Sequence, residues 1–134
     1  HQSLFVAPAL KTDGASFGVP DGVPEGMRFA LRVSEAEIAA WADRLPLSAT
    51  GRQSAKVIAR ALRDYGWFIT DNAGAATLQF EDRRTAGAQW DALGLGPITA
   101  GGKEYPRDLT DGLITESRIY ALVASDRYPA SAFI

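Results

Sequence analysis

Apolar and polar residues alternate over residues 27–33, and this period of two predicts a strand with one buried face. Methionine, phenylalanine, leucine and valine alternate there with Arg28, an alanine and Arg32. Shorter apolar runs at residues 4–7 and 67–70 predict two further strands. The chain therefore carries several candidates for a sheet.

Turn-forming residues and later apolar runs predict the rest of that sheet. Residues 71–74 are typical of a turn, so residues 67–70 and 76–80 together predict a hairpin. The segment before residue 124 fits a strand or a short helix, and a strand over residues 119–123 is favoured. Residues 11–26 are rich in glycine and proline and predict an unusually long loop.

Helical spacing of apolar residues predicts two main helices, at about residues 35–44 and 51–65. Ser34, followed three residues later by Glu37, has the pattern of a capping box. Thr50 begins a second pattern of this kind and predicts the start of the second helix there.

These elements predict an α+β fold, in which a mainly antiparallel sheet carries the two main helices on one face. A short third helix is predicted over residues 88–93, after a polar connection over residues 81–87. The length of 134 residues predicts a single domain over residues 1–134.

Composition excludes several classes of protein. The chain has 14 Lys+Arg against 16 Asp+Glu, so no positive surface for nucleic acid or an anionic membrane is expected. No apolar run approaches the roughly 20 residues that span a bilayer. The absence of cysteine excludes disulfides, thiolate metal sites and cysteine nucleophiles. No phosphate-binding glycine motif or serine nucleophile motif occurs, so no cofactor is expected.

The polar pair Asp71 and Asn72, after the strand at residues 67–70, allows two interpretations. The first is a turn whose side chains bond to the backbone. The second is a polar site beside Trp67 or Tyr65, whose ring would stack on a sugar.

The single histidine of the chain, His1, raises the alternative of copper binding. An amino-terminal histidine chelates copper through its imidazole and its amine, but the histidine brace needs a second histidine. Only a weaker site, completed by a carboxylate such as Asp71, is possible within this chain. Nothing in the sequence designates a metal ligand set.

Three segments, residues 24–29 (PEGMRF), 59–66 (ARALRDYG) and 71–74 (DNAG), together resemble a known family. They are similar to the carboxy-terminal half of a family of uncharacterised secreted bacterial proteins. Residues 1–5 are similar to a His-Ala-Leu strand of that family, and the resemblance covers roughly residues 1–95.

The resemblance implies secretion, a role with polysaccharides and additional sequence upstream. We therefore expect residues 1–134 to be the carboxy-terminal portion of a longer or multi-chain protein. The resemblance implies no mechanism, but His1 and Asp71 are the matching polar positions and hence the candidate catalytic residues. We expect part of an extracellular carbohydrate-active protein, either a hydrolase or its substrate-binding portion, with Asn72, Trp67 and Tyr65 contacting the sugar. A second chain or an amino-terminal segment is expected to complete the site. The alternatives are a structural module that assembles with another chain, and a copper-binding protein.

Overall fold

The computed structural model describes residues 4–12, 22–71, 78, 81–93, 110–122 and 127–129. Strands and helices alternate irregularly along these segments. In chain order they are β1 (Leu4–Val6), β2 (Arg28–Leu31), α1 (Glu35–Ala42), α2 (Ala49–Asp64), β3 (Trp67–Phe68), α3 (Arg83–Ala92), β4 (Ile119–Leu122) and β5 (Arg127–Pro129).

Strand β2 is the centre of a three-stranded antiparallel sheet with the order β3-β2-β4. Its register places Arg28 opposite both Phe68 and Leu122, and Ala30 opposite Tyr120. Strand β1 pairs antiparallel with β5 in a separate two-stranded sheet. The predicted α+β fold with antiparallel strands is confirmed, although the strands form two sheets and not one.

Both main helices form close to the predicted positions, and the capping box of α1 is confirmed. The Ser34 hydroxyl accepts a hydrogen bond from the Glu37 amide at 3.2 Å, and the Glu37 carboxylate accepts one from the Ser34 amide at 2.8 Å. The predicted start of α2 at Thr50 is wrong, because Ser48 is the N-cap and accepts from the Gly51 amide at 3.0 Å. Serine is an equally good cap, and the earlier start adds two helical residues.

The hydrophobic core lies between the inner face of the three-stranded sheet and the two main helices. Helix α2 packs on β2 and α1 packs on α2, so both helices lie on the same side of the sheet, as predicted. Burial of each large side chain contributes about 1.5–3 kcal/mol. The core residues are Leu31, Val33, Ile38, Trp41, Ala42, Leu45, Leu47, Ala55, Ala59, Leu62 and Leu113.

Helix α3 is longer than the sequence pattern indicated. The predicted polar connection over residues 81–87 is wrong from residue 83 onward, because the Asp82 carboxylate caps the helix at the Arg84 amide, 2.7 Å away. Buried Ala86 has φ −118° and ψ 20°, so the helix is kinked there. The kink separates the polar first turn from the apolar segment that the periodicity had identified.

The carboxyl end of the predicted long loop joins the two sheets. The Val6 amide donates to the Glu25 carbonyl at 2.9 Å, and the Gly26 amide donates to the Ile69 carbonyl at 2.7 Å. Most of the loop lies outside the described residues, as does the second strand of the predicted hairpin apart from Leu78. Among the residues that the structure describes, no helix is long and apolar enough to cross a membrane.

Candidate ligand-binding face

The three-stranded sheet has one face toward the core and one face away from it. Because side chains alternate along a strand, Leu31 of β2 enters the core while Arg28 and Arg32 lie on the other side. The register adds Phe68 of β3 and Tyr120 of β4 to this second side. We call the surface formed by Arg28, Arg32, Phe68 and Tyr120 the outer face.

Each arginine of the outer face lies over an aromatic ring. The Arg28 guanidinium is 5.6 Å from the centroid of the Phe68 ring, and the Arg32 guanidinium is 5.5 Å from that of Tyr120. Exposed cation–π pairs of this kind contribute about 0.5–1 kcal/mol each. The two pairs hold the guanidinium groups close to the sheet.

Arg28 also joins the sheet to the end of α2. Its Nε donates to the Tyr65 carbonyl at 2.8 Å, and its terminal Nη2 donates to the same oxygen. Tyr65 is the C-cap of α2, so this carbonyl would otherwise be one of the unpaired acceptors of the helix end. The bonds place Tyr65 at the border of the outer face.

Aromatic side chains are unusually exposed around these arginines. Tyr65 is 72% exposed, Phe68 is 44% exposed and Tyr120 is 36% exposed. Single exposed apolar residues are normal on a protein surface, whereas several exposed aromatic side chains along one surface, with polar groups between them, are typical of ligand sites. The outer face therefore combines ring surface with hydrogen-bond donors.

An open cleft of about 630 Å³ adjoins the outer face where β2 leads into α1. Arg32 and Tyr120 line it on the sheet side, and Ser34, Glu37 and Arg63 line it on the helix side. Capping by Ser34, first through its backbone amide and then through its hydroxyl, lowers the pKa of the Glu37 carboxyl. Glu37 therefore lines the cleft as a carboxylate that is hydrogen-bonded to the amide and the hydroxyl of Ser34.

An ion-pair network connects α1 with α2 behind this cleft. Glu35 accepts from Arg60 and, at 3.1 Å, from Arg63, which also donates to Asp64 at 2.7 Å. The hydrogen bond from Arg60, followed by that from Arg63, lowers the pKa of Glu35. The charge of Arg63 is thus compensated by two carboxylates.

The candidate residues named from the sequence do not all lie on one surface. Trp67 lies on the inner side, where its ring packs against the core and stacks on Phe29 with centroids 6.1 Å apart. Tyr65 is exposed at the border of the outer face, and Asp71 is exposed three residues beyond β3. His1 and Asn72 lie outside the described residues. The structure therefore joins the Tyr65 backbone to Arg28, and it directs Trp67 to the opposite side.

Sequence reasoning identified neither the arginines nor Phe68 and Tyr120 as site residues. The period of two over residues 27–33 did place Arg28 and Arg32 on one side of a strand. Their aromatic partners depend on the register of β3 and β4, which the local sequence does not contain.

Neither a metal site among the described residues nor a known relative assigns a function to the outer face. Within the segments described, no group of three or more His, Asp or Glu residues could hold a metal ion. The copper hypothesis depends on His1 and stays a prediction, as does the resemblance to secreted bacterial proteins. Comparison of the chain with protein-family models, curated proteins and solved structures found no match.

Proposed function

We propose that this chain binds carbohydrate through the outer face, as the substrate-binding portion of an extracellular carbohydrate-active protein. The observation that carries the proposal is that the exposed rings of Phe68 and Tyr120 each lie against a guanidinium group, with exposed Tyr65 at the border of the same surface. The apolar C–H face of a sugar ring stacks on an aromatic ring. The N–H groups of arginine donate hydrogen bonds to sugar oxygens.

The arrangement of the rings supports binding to an extended chain of sugars. Phe68 and Tyr120 lie on strands on either side of β2, and Tyr65 borders the same surface. Arg28 covers one face of the Phe68 ring and leaves its remaining surface for contact. Both arginines are held by their rings, so ordering them on binding costs little conformational entropy.

Affinity electrophoresis of residues 1–134 in gels that contain individual polysaccharides tests this proposal. At least one polysaccharide should retard the protein, and Tyr65→Ala and Phe68→Ala should each weaken binding about fivefold. Val57→Ala is the matched control, because Val57 is a 49% exposed apolar residue of α2.

Two outcomes contradict the proposal. One is the absence of retardation by every polysaccharide tested, and the other is an equal loss of binding in Val57→Ala. Self-association that disappears in Tyr65→Ala and Phe68→Ala, without polysaccharide binding, would support an assembly module instead. Sedimentation velocity of the same variants measures that self-association.

A further inference from the structure

The two arginines of the outer face differ from the ion-paired cations of α2 and α3, and they share the lack of a carboxylate partner among the described residues with Arg44, Arg52 and Arg118. Within the described part of the chain, no carboxylate lies within salt-bridge distance of Arg28 or Arg32. Arginines and a lysine elsewhere do have such partners: Lys56 contacts Asp43, Arg60 and Arg63 contact Glu35, and Arg83 contacts Asp91. Although the chain has a net charge of −2, the four residues that define the outer face include two arginines and no carboxylate.

Both guanidinium groups keep unused hydrogen-bond donors. An arginine has five N–H donors in a planar fork that matches a carboxylate. Arg28 uses its Nε and Nη2 on the Tyr65 carbonyl, which leaves donors on its other nitrogen. The Arg32 side chain is exposed and contacts the ring face of Tyr120.

The cleft beside Arg32 directs the choice of ligand. Its volume of about 630 Å³ is within the usual range for a small-ligand site. Among the cleft's charged side chains, Arg63 is paired with Glu35 and Asp64, and the Glu37 carboxylate keeps its negative charge because its partners, the Ser34 amide and hydroxyl, are neutral. Arg32 is the cleft guanidinium that no carboxylate of the described residues pairs with, so its N–H groups are left to bind the carboxylate of a ligand.

We infer that the carbohydrate bound by the outer face is acidic, with sugar carboxylates bound by Arg32 in the cleft and by Arg28 further along β2. This inference rests on the proposed carbohydrate-binding function. Arg28 is the first residue of β2 and Arg32 directly follows its last residue, so four residues of extended chain, about 13 Å, separate them. A polyuronate, which carries its carboxylates at intervals along a chain of stackable rings, has the required chemistry.

The same observations argue against nucleic acid as the occupant. Nucleic-acid affinity depends on many lysine or arginine contacts to a dense row of phosphates. The outer face offers two uncompensated guanidinium groups, and the whole chain has more acidic than basic residues. Carboxylates separated by sugar rings match that number and spacing better.

Isothermal titration of residues 1–134 with polygalacturonate, alginate and hyaluronate, each paired with its carboxyl-reduced form, tests the inference. At least one acidic polymer should bind about tenfold more tightly than its reduced form. Arg32→Gln should weaken that binding about tenfold, and Arg32→Lys, which keeps the charge but loses the fork, should have an intermediate effect. Arg84→Gln is the control, because the Arg84 side chain on α3 is 94% exposed.

Each result supports or overturns a specific claim. Equal binding of the acidic and reduced polymers overturns the acidic-ligand inference and leaves the carbohydrate-binding function in place. An equal loss in Arg84→Gln and Arg32→Gln overturns the assignment to the cleft. If a single-stranded oligonucleotide binds more tightly than every polysaccharide tested, the choice of a glycan as the ligand is overturned. If none of the polysaccharides binds, the proposed carbohydrate-binding function is contradicted as well.

Discussion

The indole nitrogen of Trp41 donates a hydrogen bond to the carbonyl oxygen of Asp111, 2.7 Å away and 70 residues further along the chain. The contact joins α1 to the turn that precedes β4. Trp41 is buried in the core, and so is Leu113, which follows Asp111 by two residues. The contact therefore fixes the segment that leads into β4, the edge strand that carries Tyr120.

Trp41→Phe should therefore destabilise the protein by about 2–3 kcal/mol, because it removes the hydrogen bond and leaves a cavity. Urea unfolding followed by circular dichroism measures this loss. Trp90→Phe is a matched control, since the half-buried Trp90 indole also donates to a carbonyl, that of Glu81, but this hydrogen bond is exposed to solvent. Its expected cost is smaller than that of Trp41→Phe, about 1 kcal/mol, and equal losses in the two variants would contradict the structural role given to Trp41.

Gly66 connects α2 to β3 at a point where only glycine fits. Its φ is +71°, and a Cβ added there would lie 2.1 Å from the carbonyl oxygen of Phe29. Gly112 has a similar φ of +68° but open space around it. We expect Gly112→Ala to cost about 1–2 kcal/mol from its backbone conformation alone, and Gly66→Ala to cost at least about 1 kcal/mol more because of the clash. Chemical denaturation that gives the same free energy for both variants would exclude this close approach.

The ion pairs of Glu35 should make stability depend on pH. The pKa of Glu35 is lowered in the folded protein by its hydrogen bonds with Arg60 and then Arg63. The stabilisation is therefore complete above the unfolded-state pKa of about 4.3 and is lost as the pH falls through the lower folded-state value. Wild type should have a higher Tm than Glu35→Gln at pH 7, and the difference should shrink progressively as the pH falls below the unfolded-state pKa.

The control for this pH dependence is Glu116→Gln, which removes the same charge outside the network. Its Tm difference from wild type should not follow the pH profile of Glu35→Gln. A Glu35→Gln difference that persists undiminished at low pH would show that the carboxylate charge is not its source. Added salt should also reduce the difference at pH 7, because the pairs are exposed.

Local signals in the sequence predicted the helices, because caps and helical periodicity are contained within a few residues. Ser34 and Glu37 marked the start of α1 correctly. The predicted start of α2 at Thr50 was wrong, because Ser48 caps the helix two residues earlier and both residue types are good caps.

The candidate site was harder to predict than the fold, because its residues come from segments that are distant in sequence. Two aromatic residues in succession, Trp67 and Phe68, must face opposite sides of the sheet, but the sequence does not state which one faces the core. The bond from Arg28 to the Tyr65 carbonyl spans 37 residues and is likewise absent from any local pattern. The alternation over residues 27–33 showed that Arg28 and Arg32 share one side of a strand. Only the pairing of β3 and β4 with β2 showed that Phe68 and Tyr120 lie beside them.

Chemical-shift mapping of the isotope-labelled chain, titrated with a uronic-acid oligosaccharide, shows directly which residues contact the sugar. We expect the largest backbone amide changes at Arg28, Arg32 and Tyr120, and only small changes in α3. Changes confined to α3 or β1, or no change with any uronic-acid oligosaccharide, would contradict the claim that the outer face binds acidic carbohydrate.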